Sequence, residues 1–174
     1  MRHSMLVRIT HWITTASFLA LVVSGIAILL AHPRLYWGET GALGTPSLVD
    51  LPLPMILTGQ SGWGRYLHFL AAWVCVLTGV AYVGRGMATR HFGSGMSAYN
   101  LLQRRTYLVV VFVMFPLIIW TGFAMSPALT SVFPALVTTL SGQQSARTIH
   151  FVVANVVVLF VIGHLVMVVR APRA

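Results

Sequence analysis

The sequence predicts an all-α integral membrane protein, a four-helix bundle with prosthetic groups held between its helices. Three observations predict it. Of the 174 residues, 57% are hydrophobic and only 7% are charged, too few charges to solvate a soluble domain of this size. Four long apolar runs, residues 9–31, 63–84, 106–125 and 148–169, carry no charge except Arg65 at the head of the second. Each can cross a hydrocarbon core of ~30 Å at ~1.5 Å per helical residue, whereas barrel strands would alternate in polarity and be about half as long. Within these runs lie His11, His68, His150 and His164. An ionisable side chain in hydrocarbon costs several kcal/mol and marks a functional site.

The first run follows a basic segment, as the core of a secretory leader would. It is too long for such a core, no A-x-A-like site follows Leu30, and it carries His11, so it is expected to remain as the first helix. The connection 32–62 contains Pro33, Pro46, Pro52 and Pro54 together with several glycines, which excludes one continuous helix. Its apolar pieces, Leu48, Val49 and residues 51–57, suit a segment lying on the membrane surface or under a partner protein. The second run contains Cys75, a lone cysteine with no disulfide partner and no C-x-x-C-H sequence for a thioether-linked haem, which reads as packing. The loop 85–105 is basic and rich in glycine (Gly86, Gly93, Gly95) before the third run. The connection 126–145 has room for a short interfacial helix over 133–140. Loops of this length have a purpose, either docking a partner or capping the bundle. The fourth run carries two of the histidines. No internal repeat or low-complexity tract is present.

Orientation follows from arginine, because the chain has no lysine. Arg2, Arg8, Arg85, Arg90, Arg104, Arg105, Arg170 and Arg173 share one side; Arg34, Arg65 and Arg147 lie on the other with Glu39 and Asp50. Eight against three puts both termini in the cytoplasm by the positive-inside rule. The net charge of +9 then reflects topology and contact with anionic membrane lipid. Nucleic acid is not an expected partner, since no basic stripe is interleaved with aromatics.

The histidines fall into two layers. His11 and His164 lie near the cytoplasmic ends of the first and fourth helices; His68 and His150 lie near the outer ends of the second and fourth. His150 and His164 are 14 residues apart, hence about 40° apart around the axis and ~21 Å apart along it. One helix can thus ligate two stacked b-type haems, each completed from another helix: His68 with His150 outside, His11 with His164 inside. Gly25, 14 residues after His11, falls at the depth of the outer haem; Gly79, 11 after His68, falls near the inner one. Either glycine clears room for a flat macrocycle or serves the small-residue packing common in membranes. Arg65 and Arg147 each precede a histidine by three residues and suit haem propionates, though snorkelling arginines at helix ends are ordinary. Asn155 points more than about 100° away from the ligand histidines and reads as an interhelical hydrogen-bond partner. His3, His32 and His91 read as solvated surface residues.

These residues resemble the bacterial di-haem cytochrome b membrane subunits, the quinone-linked anchors of formate dehydrogenases, nickel–iron hydrogenases and thiosulfate reductases. The matching pieces are Arg8-Ile9-Thr10-His11-Trp12, Gly64-Arg65-Tyr66-Leu67-His68-Phe69, Tyr99-Asn100-Leu101-Leu102-Gln103, and Arg147-Thr148-Ile149-His150 with His164. The segment from Pro33 to Thr40 is similar to a subgroup found with periplasmic molybdopterin oxidoreductases, and the long Pro-rich first outer loop departs from the hydrogenase and formate dehydrogenase patterns. The resemblance implies a quinone site near the inner haem, with Asn100 close to His164. There Asn100 offers an amide donor and Gln103 supports it, while Arg104 and Arg105 favour an anionic reduced quinone. Asn100 also stands where a helix N-cap belongs.

The expected function is electron transfer between the quinone pool and a periplasmic, molybdopterin-type oxidoreductase, in the bacterial inner membrane, through two bis-histidine haems b. On its own the chain would at most oxidise or reduce quinone. A stand-alone oxidoreductase acting on a small oxidant or reductant such as superoxide is the alternative. A proton or metal-ion transporter would want buried carboxylates, and both acids lie in one outer loop.

Overall fold

The computed structural model describes residues 5–42, 44–54, 60–90 and 101–170. They form α1 (Met5–Ala31), a two-residue pair of strands β1 (Arg34–Leu35) and β2 (Val49–Asp50), and α2 (Arg65–Ala88) entered through a wide π turn at Gln60–Gly64. After them come α3 (Leu101–Val109), a second π turn at Val110–Met114, α4 (Phe115–Ala124), the short α5 (Pro127–Thr130) and α6 (Ala135–Thr138), and α7 (Gln143–Arg170). Among the described residues four helices are long and apolar enough to cross a membrane: Met5–Ala31, Gly62–Ala88, Gln103–Ala124 and Gln143–Arg170. The chain is thus an all-α membrane protein, as its apolar runs require.

Two compact units make up the chain. The first, Met1–Pro33 with Leu51–Asn100, is built on α1 and α2. These helices meet through small and hydroxyl side chains. Thr14 and Thr78 share a hydrogen bond of 3.2 Å, and a Cβ placed on Gly64 would lie 3.4 Å from the Cβ of Ala27. In hydrocarbon no hydrophobic force draws helices together, so close backbone approach and interhelical hydrogen bonds do that work. α1 begins ahead of its uncharged run because Met5, Leu6 and Arg8 are good helix formers. α2 ends where Arg90 takes a left-handed φ of 52°, with the Thr89 and Arg90 amides closing the last turn on Arg85 and Met87 carbonyls.

The second unit, Arg34–Asp50 with Leu101–Ala174, holds the strand pair and α3 to α7. Pro116 explains the broken third span. Proline has no N–H to give the carbonyl four residues back and its ring crowds that carbonyl, so the turn before it widens to Val110–Met114. The connection to α7 folds into α5 and α6 where a single short helix over 133–140 was expected, because Pro127 and Pro134 each start a new turn. Trp120 ties this segment down by donating its indole N–H to the Leu136 carbonyl at 3.1 Å. Asn155 differs from the interhelical role expected of it: its amide donates to Phe151 of its own helix at 2.8 Å. An exposed polar group in hydrocarbon satisfies itself on the nearest backbone.

α7 starts five residues before its apolar run, and the cause lies 107 positions away in sequence. The Gly38 carbonyl accepts from the amides of Gln144 and Ser145 at 3.0 and 3.3 Å. Ser145 Oγ accepts from the Gly38 amide at 2.7 Å, and Thr148 Oγ1 donates to the Tyr36 carbonyl at 2.7 Å. The loop between β1 and β2 therefore caps the helix, satisfying first-turn amides that would otherwise be orphaned. Arg34 and Asp50 pair at 2.9 Å across the strands; being exposed, the pair adds well under ~1 kcal/mol. Gly142 makes the cap possible. It has a φ of 118°, and a Cβ there would overlap the Gly38 backbone. Gly142→Ala is expected to cost about 2–4 kcal/mol through backbone strain and lost cap bonds. A lowered apparent melting temperature in detergent would show it, and an unchanged one would contradict it.

The packing is inverted relative to a soluble protein. The fully buried side chains of greatest volume are Thr121, Ser24 and Ser145, while Leu19, Val80 and Leu159 are at least 60% exposed. Large apolar side chains are turned outward and hydroxyls lie inside. Two of those three hydroxyls touch histidine rings.

Candidate haem ligands

His68 stands on the first turn of α2, half-buried against α1. Its Nδ1 is hydrogen-bonded to the Ser24 hydroxyl at 3.0 Å, and Ser24 is fully buried. The next residue on α1 is Gly25, where an added Cβ would lie 3.7 Å from His68 Cε1. The helix thus presents a hydroxyl to one ring nitrogen and bare backbone to the adjoining ring edge.

The second unit repeats this arrangement with other residues. His150, on the second turn of α7, has its Nδ1 hydrogen-bonded to Thr121 Oγ1 of α4 at 2.9 Å. Thr121 is fully buried, and Gly122 follows it, with a Cβ there 3.6 Å from His150 Cε1. A buried hydroxyl, the glycine after it and a histidine on the facing helix occur once in each unit.

His11 and His164 have aromatic neighbours. The His11 ring meets Trp12 edge-on at 5.8 Å, and His164 lies parallel to Phe160 at 6.3 Å; both histidines are exposed on their helices. Gln103, on the first turns of α3, donates its amide to Met167 Sδ at 4.0 Å. That contact brings it to α7 one turn beyond His164. Arg65 is the first residue of α2 and exposed, and Arg147 is half-buried on the first turns of α7. A Cβ on Gly79 would meet no atom within 4 Å among the described residues, so that stretch of α2 surface is bare. Asn100 lies outside the described residues. Ser24, Thr121 and Gly122 were missed in the sequence. Their signal is a hydroxyl–glycine pair inside an apolar run, at Ser24-Gly25 and Thr121-Gly122, though Thr78-Gly79 makes a third such pair whose hydroxyl meets Thr14 instead of a histidine.

These residues fit haem. Neutral imidazoles are its ordinary axial donors, and Gly25 and Gly122 keep side chains away from two of the ring edges where a planar group would need clearance. Comparison with known proteins agrees. Residues 2–174 match the prokaryotic cytochrome b561 family, and the chain belongs to that family. It is therefore a haem-carrying membrane cytochrome b, a multi-pass protein of the bacterial inner membrane, and the family resemblance read from the histidine motifs holds. At the level of individual proteins, the chain is similar to the proposed protein-methionine-sulfoxide reductase subunit YedZ1 of Azospira oryzae. The two are 27% identical over 201 aligned positions, covering 98% of this chain and 91% of the relative. No solved structure matches the chain.

Proposed function

We propose that the chain is the membrane electron-transfer subunit of a periplasmic oxidoreductase, acting as one di-haem domain over its whole length. In this reading both termini face the cytoplasm, His68 and His150 ligate an outer haem b, and His11 and His164 ligate an inner one. One observation carries the proposal: α7 runs unbroken from Gln143 to Arg170 and so holds His150 and His164 at two depths, ~21 Å apart along one rigid axis. The name of the Azospira relative supports a partner that reduces oxidised protein methionine, and a molybdopterin enzyme is the class we assign to it.

The bound haems supply one-electron redox chemistry. The protein's own residues do the rest. The four imidazoles hold iron, and the apolar helices keep water from the ligands and so set the potentials. The guanidinium groups of Arg65 and Arg147 neutralise propionate charge at the outer boundary. Quinone is the exchangeable substrate, bound at the cytoplasmic side where Gln103 reaches α7 beside His164. Asn100 donates to a quinone carbonyl, with Gln103 holding the pocket wall.

The partner docks on the segments that cover the start of α7. Trp37, Val132 and Phe133 are more than half exposed there, on a backbone pinned by the Gly38 cap and the Trp120 bond. The test is purification in mild detergent after crosslinking from position 37 or 133. A periplasmic redox enzyme captured from both positions is expected, and Phe133→Asp should weaken the complex by about tenfold or more by placing a charge in an apolar contact. A complex formed only through the loop 85–105 would overturn the assignment. Turnover of superoxide with quinol by the isolated chain would favour a stand-alone oxidoreductase instead.

A further inference from the structure

We infer that Ser24 and Thr121 are positioning residues of the outer haem: their hydroxyls lock His68 and His150 in the same tautomer, with the proton on Nδ1 and the lone pair on Nε2. The inference rests on reading these two histidines as haem ligands. It follows from where each hydroxyl proton must go. Ser24 Oγ lies 2.6 Å from the Ala20 carbonyl oxygen and 3.2 Å from that of Leu21. A carbonyl only accepts, and two oxygens approach so closely only with a proton between them. The single hydroxyl proton is therefore spent on Ala20, the ordinary back-bond of serine in a helix. What Ser24 turns toward His68 Nδ1 at 3.0 Å is a lone pair, so Nδ1 is the donor.

Thr121 is built alike. Its Oγ1 lies 2.9 and 3.1 Å from the Leu117 and Ile118 carbonyls, and it meets His150 Nδ1 at 2.9 Å. Again one proton faces two carbonyl acceptors, and the ring nitrogen supplies the other. A neutral imidazole protonated at Nδ1 carries its lone pair on Nε2, the atom that would then be free to ligate haem iron. The glycine after each hydroxyl completes the device. Gly25 and Gly122 put no side chain against Cε1, the carbon between the two nitrogens.

Plain packing does not account for this. An apolar side chain of the same shape would pack as well, and each hydroxyl is already satisfied as a donor within its own helix, so packing alone asks for no contact with the ring. Here two buried hydroxyls from different helices each meet the same nitrogen of a ligand ring. Donation from Nδ1–H to oxygen makes the imidazole a stronger electron donor and fixes its orientation, as the outer partners of metal-ligating histidines do. A stronger donor favours ferric over ferrous iron, so the two hydroxyls lower the potential of the outer haem. Among the described residues the rings of His11 and His164 stand instead beside Trp12 and Phe160, and there the device belongs to the two histidines read as outer ligands.

The test uses the full chain, haem-loaded in its own membrane, with Ser24→Ala, Thr121→Val (which keeps the shape of threonine) and Thr121→Ser. Optical redox titration and the haem-to-protein ratio are read for each. In Ser24→Ala and Thr121→Val the outer haem should titrate at a raised potential and be lost during detergent purification about tenfold or more faster. The second haem should keep its wild-type potential, and Thr121→Ser should restore both properties. Wild-type potentials and retention in both hydroxyl-free variants would overturn the proposal, as would an equal shift in both haems. If Ser24→Ala does not accumulate, the Thr121→Val and Thr121→Ser pair decides by the same readout. Haem-to-protein ratios in His68→Ala and His150→Ala separate the two levels. Unchanged ratios there would sink the ligand assignment itself, whereas lowered ratios beside a wild-type-like Thr121→Val would sink only the tautomer lock.

Discussion

Replacing His150 with alanine is expected to remove one haem and leave the other, taking the haem-to-protein ratio from about two to about one. His68→Ala should give the same product, with the same surviving spectrum. His11→Ala and His164→Ala should give the complementary species, in which the other haem survives. The reason is chemical: in the proposed arrangement each haem takes both of its protein ligands from these four imidazoles, so removing one leaves its iron with a single donor. Pyridine haemochrome assay against protein mass measures the ratio, and the reduced spectrum tells the survivors apart. A wild-type ratio of one, or loss of the same haem from His11→Ala and His150→Ala, would refute the pairing.

Asn100→Asp is expected to slow electron exchange with a quinol analogue by about tenfold while both haems stay in place. The change keeps an oxygen able to cap a helix but removes the amide donor, and one lost hydrogen bond to a carbonyl is worth about 0.5–1.5 kcal/mol, up to a factor of ten. The new carboxylate adds repulsion toward a reduced, anionic quinone. Gln103→Leu should slow exchange less, since its amide is engaged with Met167 Sδ and acts on the pocket wall. Stopped-flow reduction of the haems by quinol gives both rates. A wild-type rate in Asn100→Asp with full haem content would leave Asn100 as a helix cap only.

Much of this is legible in the sequence. The four spans are, because hydrocarbon demands long uncharged runs. So are the four histidines, because an imidazole has no place in such a run without a task. Element ends are less legible. Pro116 in the third run announces its π turn, but the early start of α7 depends on Gly38, which no local pattern connects to Gln144. The strand pair of Arg34–Leu35 with Val49–Asp50 was hidden for the same reason, being too short to show a period.

By itself the sequence determined the membrane class, the number of spans and the candidate ligands. Each follows from the cost of placing one residue in hydrocarbon, which is a local quantity: backbone polarity must be satisfied within the segment and side-chain polarity must have a purpose. Only the tertiary structure decided what holds those ligands. Ser24 reaches His68 across 44 positions and Thr121 reaches His150 across 29, and both hydroxyls sit inside because helices in lipid pack on small polar groups and turn their large apolar side chains outward. Which serine or threonine meets a ring depends on how two helices are rotated against each other, and that rotation leaves no periodic trace in runs that are apolar all round.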